Sequence, residues 1–310
     1  MNAHPLSLVV CDLAGTTVDY GSRAPLEAFR EVFARRGVTV TDAEARGPMG
    51  MHKRDHMGCM LSMPSIAHQW RKIHGRDWNA DDLDALFREF LPLQTKLLET
   101  HSEAIPGAIE AVAMWRSLGI KVAAATGYTR PMADLVLAAA ERQGLAFDFS
   151  CCAAETPAGR PAPWMIYHCM EAADAYPPAT VLKIGDTIAD VEEGTNAGVW
   201  TVGVAMSGNM LGLTRREAEG MNRADLAIMI EGARKKLAEA GAHLVVDSIA
   251  EAPLIASALR QAIAGGGHPG NRGLLPPCRS GPAAGAHSNR DGRPHSIPFP
   301  NPYGMAQEEE

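Results

Sequence analysis

Asp12 ends a short apolar run, residues 6–11 (LSLVVC), and Gly15-Thr16-Thr17 follow it at once. A carboxylate at the carboxyl end of a buried strand stands where open α/β sheets bind their ligands. Further on, residues 120–125 end in Thr126-Gly127-Tyr128, where a hydroxyl and backbone N–H groups can hold an oxyanion. Arg160 is the one cation in the Pro-rich loop 157–164 and can meet an oxyanion with two parallel hydrogen bonds. In residues 184–190 (IGDTIAD) an apolar strand opens into Asp186 and Asp190, four residues apart at a helix start. Such hard oxygen ligands suit Mg²⁺. Taken singly, each has a plainer reading: a turn, a solvated loop arginine, a helix cap.

Lys53 is of another kind. If residues 50–61 are helical, Met49, Lys53, His56, Met57 and Met60 share one stripe. A lysine among methionines, flanked by Arg54 and two histidines, has its ammonium form destabilised by desolvation and by like charge. Schiff-base lysines are activated in this way. The plainer reading is a lysine snorkelling from an amphipathic helix.

These positions need elements to hold them. Strands are expected at 6–11, 120–125, 147–152, 180–184, 201–205 and 243–246. Helices between them are expected at 106–118, 129–143, 164–175, 188–197, 215–240 and 249–263. This alternation predicts an α/β fold, a doubly wound parallel sheet covered on both faces. Between the first two strands the chain reads as almost purely helical, with helices at 25–37, 50–61 and 80–98. The expected division is a core of residues 1–20 and 104–264, an inserted α-helical cap of residues 21–103, and a tail of residues 265–310. The tail is rich in Gly, Pro, Ser and Asn without periodicity, and the expectation is that it is disordered.

Composition narrows the function classes. The formal net charge of −7 argues against non-specific nucleic-acid binding. Hydrophobic content of 46% and charged content of 21% are ordinary for a globular chain. The six cysteines are scattered and show no C-x-x-C spacing, which fits a reducing compartment. The first apolar run is too short for a signal peptide, and no run of about 18 apolar residues is present. A soluble cytoplasmic protein without membrane attachment is expected.

Residues 12–19 (DLAGTTVD), Thr126-Gly127, Arg160 and residues 185–190 (GDTIAD) follow one another at successive strand ends, and together they resemble the four motifs of the haloacid dehalogenase (HAD) superfamily. The resemblance implies a HAD-like Rossmannoid core, with Asp12 as a nucleophile toward phosphorus. It also implies Mg²⁺ held by Asp12, the Ala14 backbone carbonyl and Asp186, with Asp190 in support. Thr126, Gly127, Arg160 and Met49 would bind the substrate. The chain departs from the pattern at Ala14, where the family usually has a second aspartate that protonates a leaving alkoxide. Ala14 and Lys53, with the stretches TTVDYG, PMGMHKRDH, TGYTR, PAGRPAPWM and GDTIADVEEG, resemble the branch of the family that cleaves a phosphonate P–C bond. There the departing carbon needs an electron sink and not an acid. That branch implies a small phosphonate aldehyde as substrate, an imine on Lys53, His56 shuttling protons, a place in 2-aminoethylphosphonate degradation, and a homodimer. Two rivals remain: a metal-free haloacid dehalogenase, which also lacks the second aspartate, and a non-catalytic HAD-fold binding protein.

Overall fold

The computed structural model describes residues 5–270. Six strands form one parallel sheet: β1 (Leu8–Cys11), β2 (Lys121–Thr126), β3 (Phe149–Cys152), β4 (Val181–Gly185), β5 (Trp200–Val204) and β6 (Leu244–Val246). Their order is β3-β2-β1-β4-β5-β6, which reverses direction between β1 and β4. Register explains why the strands read as continuous apolar runs. Val9 and Cys11 of β1, Val122 and Ala124 of β2, and Leu182 and Ile184 of β4 join one apolar cluster; the alternate residues Leu8, Val10, Ala123, Ala125 and Val181 join another. Successive side chains point to opposite faces and helices cover both, so every position of the central strands β1, β4 and β5 is buried.

The first strand is followed by five helices: α1 (Arg23–Ala34), α2 (Asp42–Arg46), α3 (Lys53–Leu61), α4 (Pro64–His74) and α5 (Ala80–Leu98). Residues 26–90 supply an apolar cluster of their own, built on Phe29, Phe33, Met57, Met60, Trp70 and Phe90. The chain leaves and re-enters the sheet through paired leads. Val18 bridges Ala104, Asp19 N–H donates to the Glu103 carbonyl at 3.1 Å, and Ile105 N–H donates to the Thr17 carbonyl at 2.9 Å. At the outgoing lead the Asp19 carboxylate accepts the N–H groups of Arg23 and Ala24 at 2.9 and 3.0 Å, capping α1. The remaining helices alternate with strands: α6 (Ala108–Ser117), α7 (Arg130–Arg142), α8 (Trp164–Ala173), α9 (Ile188–Ala197), α10 (Arg215–Gly220), α11 (Arg223–Glu239) and α12 (Ala252–Ala264).

Four local expectations change. The helix expected from residue 50 starts at Lys53, because Gly50 has φ +95° and His52 is the non-helical cap. The single helix expected over 215–240 is two, since Gly220 ends α10 and the Asn222 side chain accepts Ala224 N–H at 2.8 Å to start α11. Helices α2 and α4 were not expected. The first is short and held by a Thr41–Glu44 capping box, and the second opens on Pro64. Of the tail expected to be disordered, residues 271–310 lie outside the described residues. Residues 265–270 do not float free: Pro269 is buried and its carbonyl lies 2.6 Å from His243 Nε2.

Candidate active site

The carboxyl ends of β1, β2 and β4 bring the sequence-predicted groups together at the point where strand order reverses, as expected of open α/β sheets. Asp12 follows β1, and its N–H continues the ladder to the Ile184 carbonyl at 2.9 Å. Asp186 follows β4, with its carboxylate fixed by the Thr16 hydroxyl at 2.8 Å and the Asn209 N–H at 2.7 Å. Thr126 ends β2. A cleft with about 270 Å³ of empty volume is lined by Asp12, Ala14, Met49, Lys53, Thr126, Gly127 and Arg160, joined by Tyr128 and Thr187.

Below the cleft lies a buried set of charges. The Arg160 guanidinium is 2.9 Å from Asp12 Oδ1, 3.1 Å from Asp190 Oδ1 and 2.8 Å from Glu193 Oε2. Lys183, at the middle of β4, places Nζ 2.9 Å from Asp190 Oδ1 and 3.0 Å from Glu193 Oε2. Burial would raise Asp190, but Arg160 and Lys183 overcome it and hold the carboxyl below its ordinary range. Burial raises Asp12, against the pull of Arg160. Asp186 is pushed well up by burial and by the negative charges of Asp12 and Asp190.

These residues fit a divalent cation. Carboxylate oxygens of Asp12, Asp186 and Asp190 lie within 4.8 Å of one another. Among the described residues Asp12, Asp190 and Glu193 form ion pairs with Arg160 and Lys183, while Asp186 forms none, which leaves negative charge for a cation to offset. Asp190 is already engaged by Arg160, Lys183 and the Thr187 hydroxyl, the last at 2.5 Å, so Asp12 and Asp186 are the carboxylates left to bind.

The side formed by the inserted helices differs in kind. Lys53 opens α3 and is 4% exposed. Its Nζ lies 5.3 Å from the Tyr128 ring centroid and 5.8 Å from that of Phe29, and it enters none of the ion pairs found among the described residues. Burial brings its pKa down to about 8, although Asp12 pulls the other way. Met49 precedes the helix and still reaches the cleft. Gly127 matters for its missing side chain: a Cβ there would lie 2.6 Å from the Met51 carbonyl oxygen, so a bare backbone lets the loop before α3 pack against it.

His56 does not line the cleft. It is fully buried, with its ring centroid 3.9 Å from that of Phe29 and Nε2 2.9 Å from the Ala45 carbonyl. Burial and Lys53 keep it well below the ordinary histidine value, so it is neutral, with Nε2–H as the donor. Sequence reasoning missed Lys183, Glu193 and Tyr128 as parts of the site. A lysine in mid-strand in V-L-K-I-G was the available signal, since a strand buried on both faces tolerates a charge only beside a partner. Glu193, three residues after Asp190 on α9, is that partner.

Comparison with known proteins agrees with this geometry. Residues 6–198 match the family model for haloacid dehalogenase-like hydrolase. The chain is 43% identical to phosphonoacetaldehyde hydrolase of Syntrophobacter fumaroxidans, over 81% of this chain and 91% of that one. It is 42% identical to phosphonoacetaldehyde hydrolase of Bacillus cytotoxicus, over 81% and 95%. A solved structure, the phosphonoacetaldehyde hydrolase-like protein of Oleispira antarctica, superposes with a TM-score of 0.84 at 36% identity, covering 86% of this chain and 98% of that one. With Asp12, Thr126, Arg160 and Asp186 gathered at one sheet edge and these relatives matched over most of their length, the chain is a hydrolase and belongs to the haloacid dehalogenase-like family.

Proposed function

We propose that the protein hydrolyses the P–C bond of phosphonoacetaldehyde to acetaldehyde and phosphate, downstream of the reaction that removes the amino group of 2-aminoethylphosphonate. The observation that carries this reading is Lys53: a buried amine with no ion-pair partner among the described residues, facing the same cleft as Asp12 and Ala14. The Lys53 amine adds to the aldehyde and water leaves, giving an iminium two bonds from phosphorus. An Asp12 oxygen attacks phosphorus, and the P–C electron pair moves into the iminium, which becomes an enamine. Protonation at carbon and hydrolysis release acetaldehyde and the free lysine, and a second water cleaves the aspartyl phosphate. The leaving atom is carbon, so no acid is needed at position 14, where Ala14 stands.

In this reading Arg160, Thr126 and the Gly127 N–H receive the phosphonate oxygens, and Met49 packs against the bound aldehyde. His56 carries protons for the imine steps from behind Lys53, through an Nδ1 that has no hydrogen-bond partner among the described residues. Asp12, the Ala14 carbonyl and Asp186 would hold Mg²⁺, with Asp190 in support; bound there, it offsets the negative charge that an incoming phosphonate meets. Helices α1–α5 act as a cap over the cleft, and the chain works as a homodimer. The buried Asp12–Asp186 pair favours this over a metal-free dehalogenase.

The test is borohydride reduction in the presence of phosphonoacetaldehyde. Reduction should inactivate the protein and add the mass of the reduced adduct at Lys53, and Lys53→Arg should neither turn over nor be labelled. Labelling at any other lysine, or turnover by Lys53→Arg within about tenfold of wild type, roughly 1.4 kcal/mol, excludes the imine.

A further inference from the structure

One side chain stitches the helical layer to the sheet without reaching the cleft or the charges beneath it. Arg46, the last residue of α2, sends Nη1 to the Gly21 carbonyl at 2.9 Å and to Asn209 Oδ1 at 3.1 Å. Nη2 donates to the Gly212 carbonyl at 3.1 Å. Asn209 completes the exchange by donating Nδ2–H to the Arg46 carbonyl at 3.1 Å. Three separate segments therefore meet at one guanidinium: the lead at residue 21, the loop after β5, and α2 itself. Arg46 enters none of the ion pairs among the described residues. Its partners are neutral carbonyl and amide oxygens, and such contacts exchange with water at smaller cost than a buried ion pair.

The loop Arg46 grips is the loop that holds Asp186. Asn209 is 3% exposed and donates its backbone N–H to Asp186 Oδ2 at 2.7 Å. The packing leaves no slack on either side. A Cβ on Gly208 would lie 2.2 Å from Asp186 Cβ, and one on Gly212 would lie 2.4 Å from the Arg46 guanidinium. Residues 207–213 are thus held between the cap arginine and the metal-side carboxylate, and a shift at one end moves the other.

We propose that Arg46 is the latch of the closed cap, and that Asn209, which it grips, passes closure on to Asp186. Arg46 is a positioning residue: it touches neither substrate nor reacting atoms. By linkage, closure that orders Asp186 must favour cation binding, and cation binding must favour closure by the same factor. The inference rests on the Mg²⁺ part of the function proposed above and on none of its lysine chemistry.

The experiment uses the full chain without substrate. Mg²⁺ is titrated calorimetrically into wild type, Arg46→Met, Arg46→Lys and Asn209→Ala. Arg30→Met serves as a control, because Arg30 pairs with Asp42 inside the helical layer at the surface. Affinity should weaken about fivefold or more in the first three variants and stay unchanged in the control. Hydrogen exchange at residues 46–52 should quicken in Arg46→Met while β1 and β4 stay protected. Mg²⁺ should slow that exchange in wild type and not in the variant. Equal Mg²⁺ affinity in Arg46→Met and wild type overturns the relay. Wild-type affinity in Arg46→Lys overturns the forked contact as its cause. Unchanged exchange at 46–52 overturns the latch. Wild type that takes up no Mg²⁺ overturns the metal reading and the relay with it, while the borohydride result stands or falls separately.

Discussion

The two walls of the cleft solve opposite electrostatic problems. On the sheet side Arg160, Lys183, Asp190 and Glu193 are buried and ion-paired with one another, and the pairing favours the charged forms of Arg160, Lys183 and Asp190. On the cap side Lys53 is equally buried but left among the Tyr128 and Phe29 rings, and its pKa falls to about 8. A paired charge makes a rigid receptor for an anion. An unpaired one loses its proton near neutrality and becomes a nucleophile. The same physical operation, burial, accompanies a raised basic pKa in one wall and a lowered one in the other; the difference is the partner.

The most damaging substitution should be Asp12→Asn, which removes the group both walls converge on. Phosphate release should fall by at least ~10⁴-fold with the fold retained, as read by a phosphate assay beside circular dichroism. Substantial turnover by a folded variant would move the nucleophile elsewhere.

Next in size is Glu193→Gln, a test of the saturated wall. It leaves Lys183 and Arg160 short of a countercharge in the interior, and stability should drop by about 3–5 kcal/mol. Breaking the surface pair Arg54–Asp84 should cost no more than ~1 kcal/mol. Urea midpoints that fall equally for the two would show that the buried wall is not what holds the site.

Lys53→Met tests the unsaturated wall and should act in opposite directions on activity and stability. The folded pKa of about 8 lies below the ordinary lysine value of 10.5, so between the two the folded state binds fewer protons than the unfolded one. The resulting penalty is complete below about pH 8, fades between pH 8 and 10.5, and is gone above 10.5. At pH 7 the methionine variant should therefore be more stable by about 3 kcal/mol, from ~1.36 kcal/mol per pKa unit, and the gain should shrink above pH 9. In wild type kcat/KM should rise with pH up to about 8 as the amine is freed. A variant no more stable than wild type at pH 7 would mean that Lys53 has a partner.

The mildest change is Gly127→Ala. Its new Cβ must displace the Met51 carbonyl, so the cap loop is held off and KM should rise about tenfold, roughly 1.4 kcal/mol, with stability little changed. An unaltered KM would show that the loop gives way freely.

Most of the sheet was legible because a parallel sheet covered on both faces demands unbroken apolar runs, and residues 6–11, 120–125 and 180–184 are such runs. The strand ends were legible for the same reason: Asp12, Thr126 and Asp186 are the polar residues that break them. Contacts made across long separations were not. Nothing near Arg46 in the chain announces Asn209, 163 residues away. His56 shared the periodicity of Lys53, yet its ring turns to Phe29 and Ala45, because periodicity assigns a face and not the depth of a side chain within it. Helix α2 escaped because a capping box and not an apolar stripe marks it, and α4 escaped because its buried stripe is only Ile66 and Trp70 and no side chain caps its start.

The paired leads at Val18 and Ala104 have a consequence for how the chain can be cut. Everything from residue 21 to residue 103 departs and returns through two backbone segments already joined by hydrogen bonds, so excising it leaves ends that meet. A linker of about four residues in place of 83 would reduce the chain entropy spent on closing that loop by about 2.7 kcal/mol on a (3/2)RT ln n scale. The sheet would keep its connectivity, and a core made in this way is a direct route to the cleft residues that lie outside the helical layer, Asp12, Thr126 and Arg160.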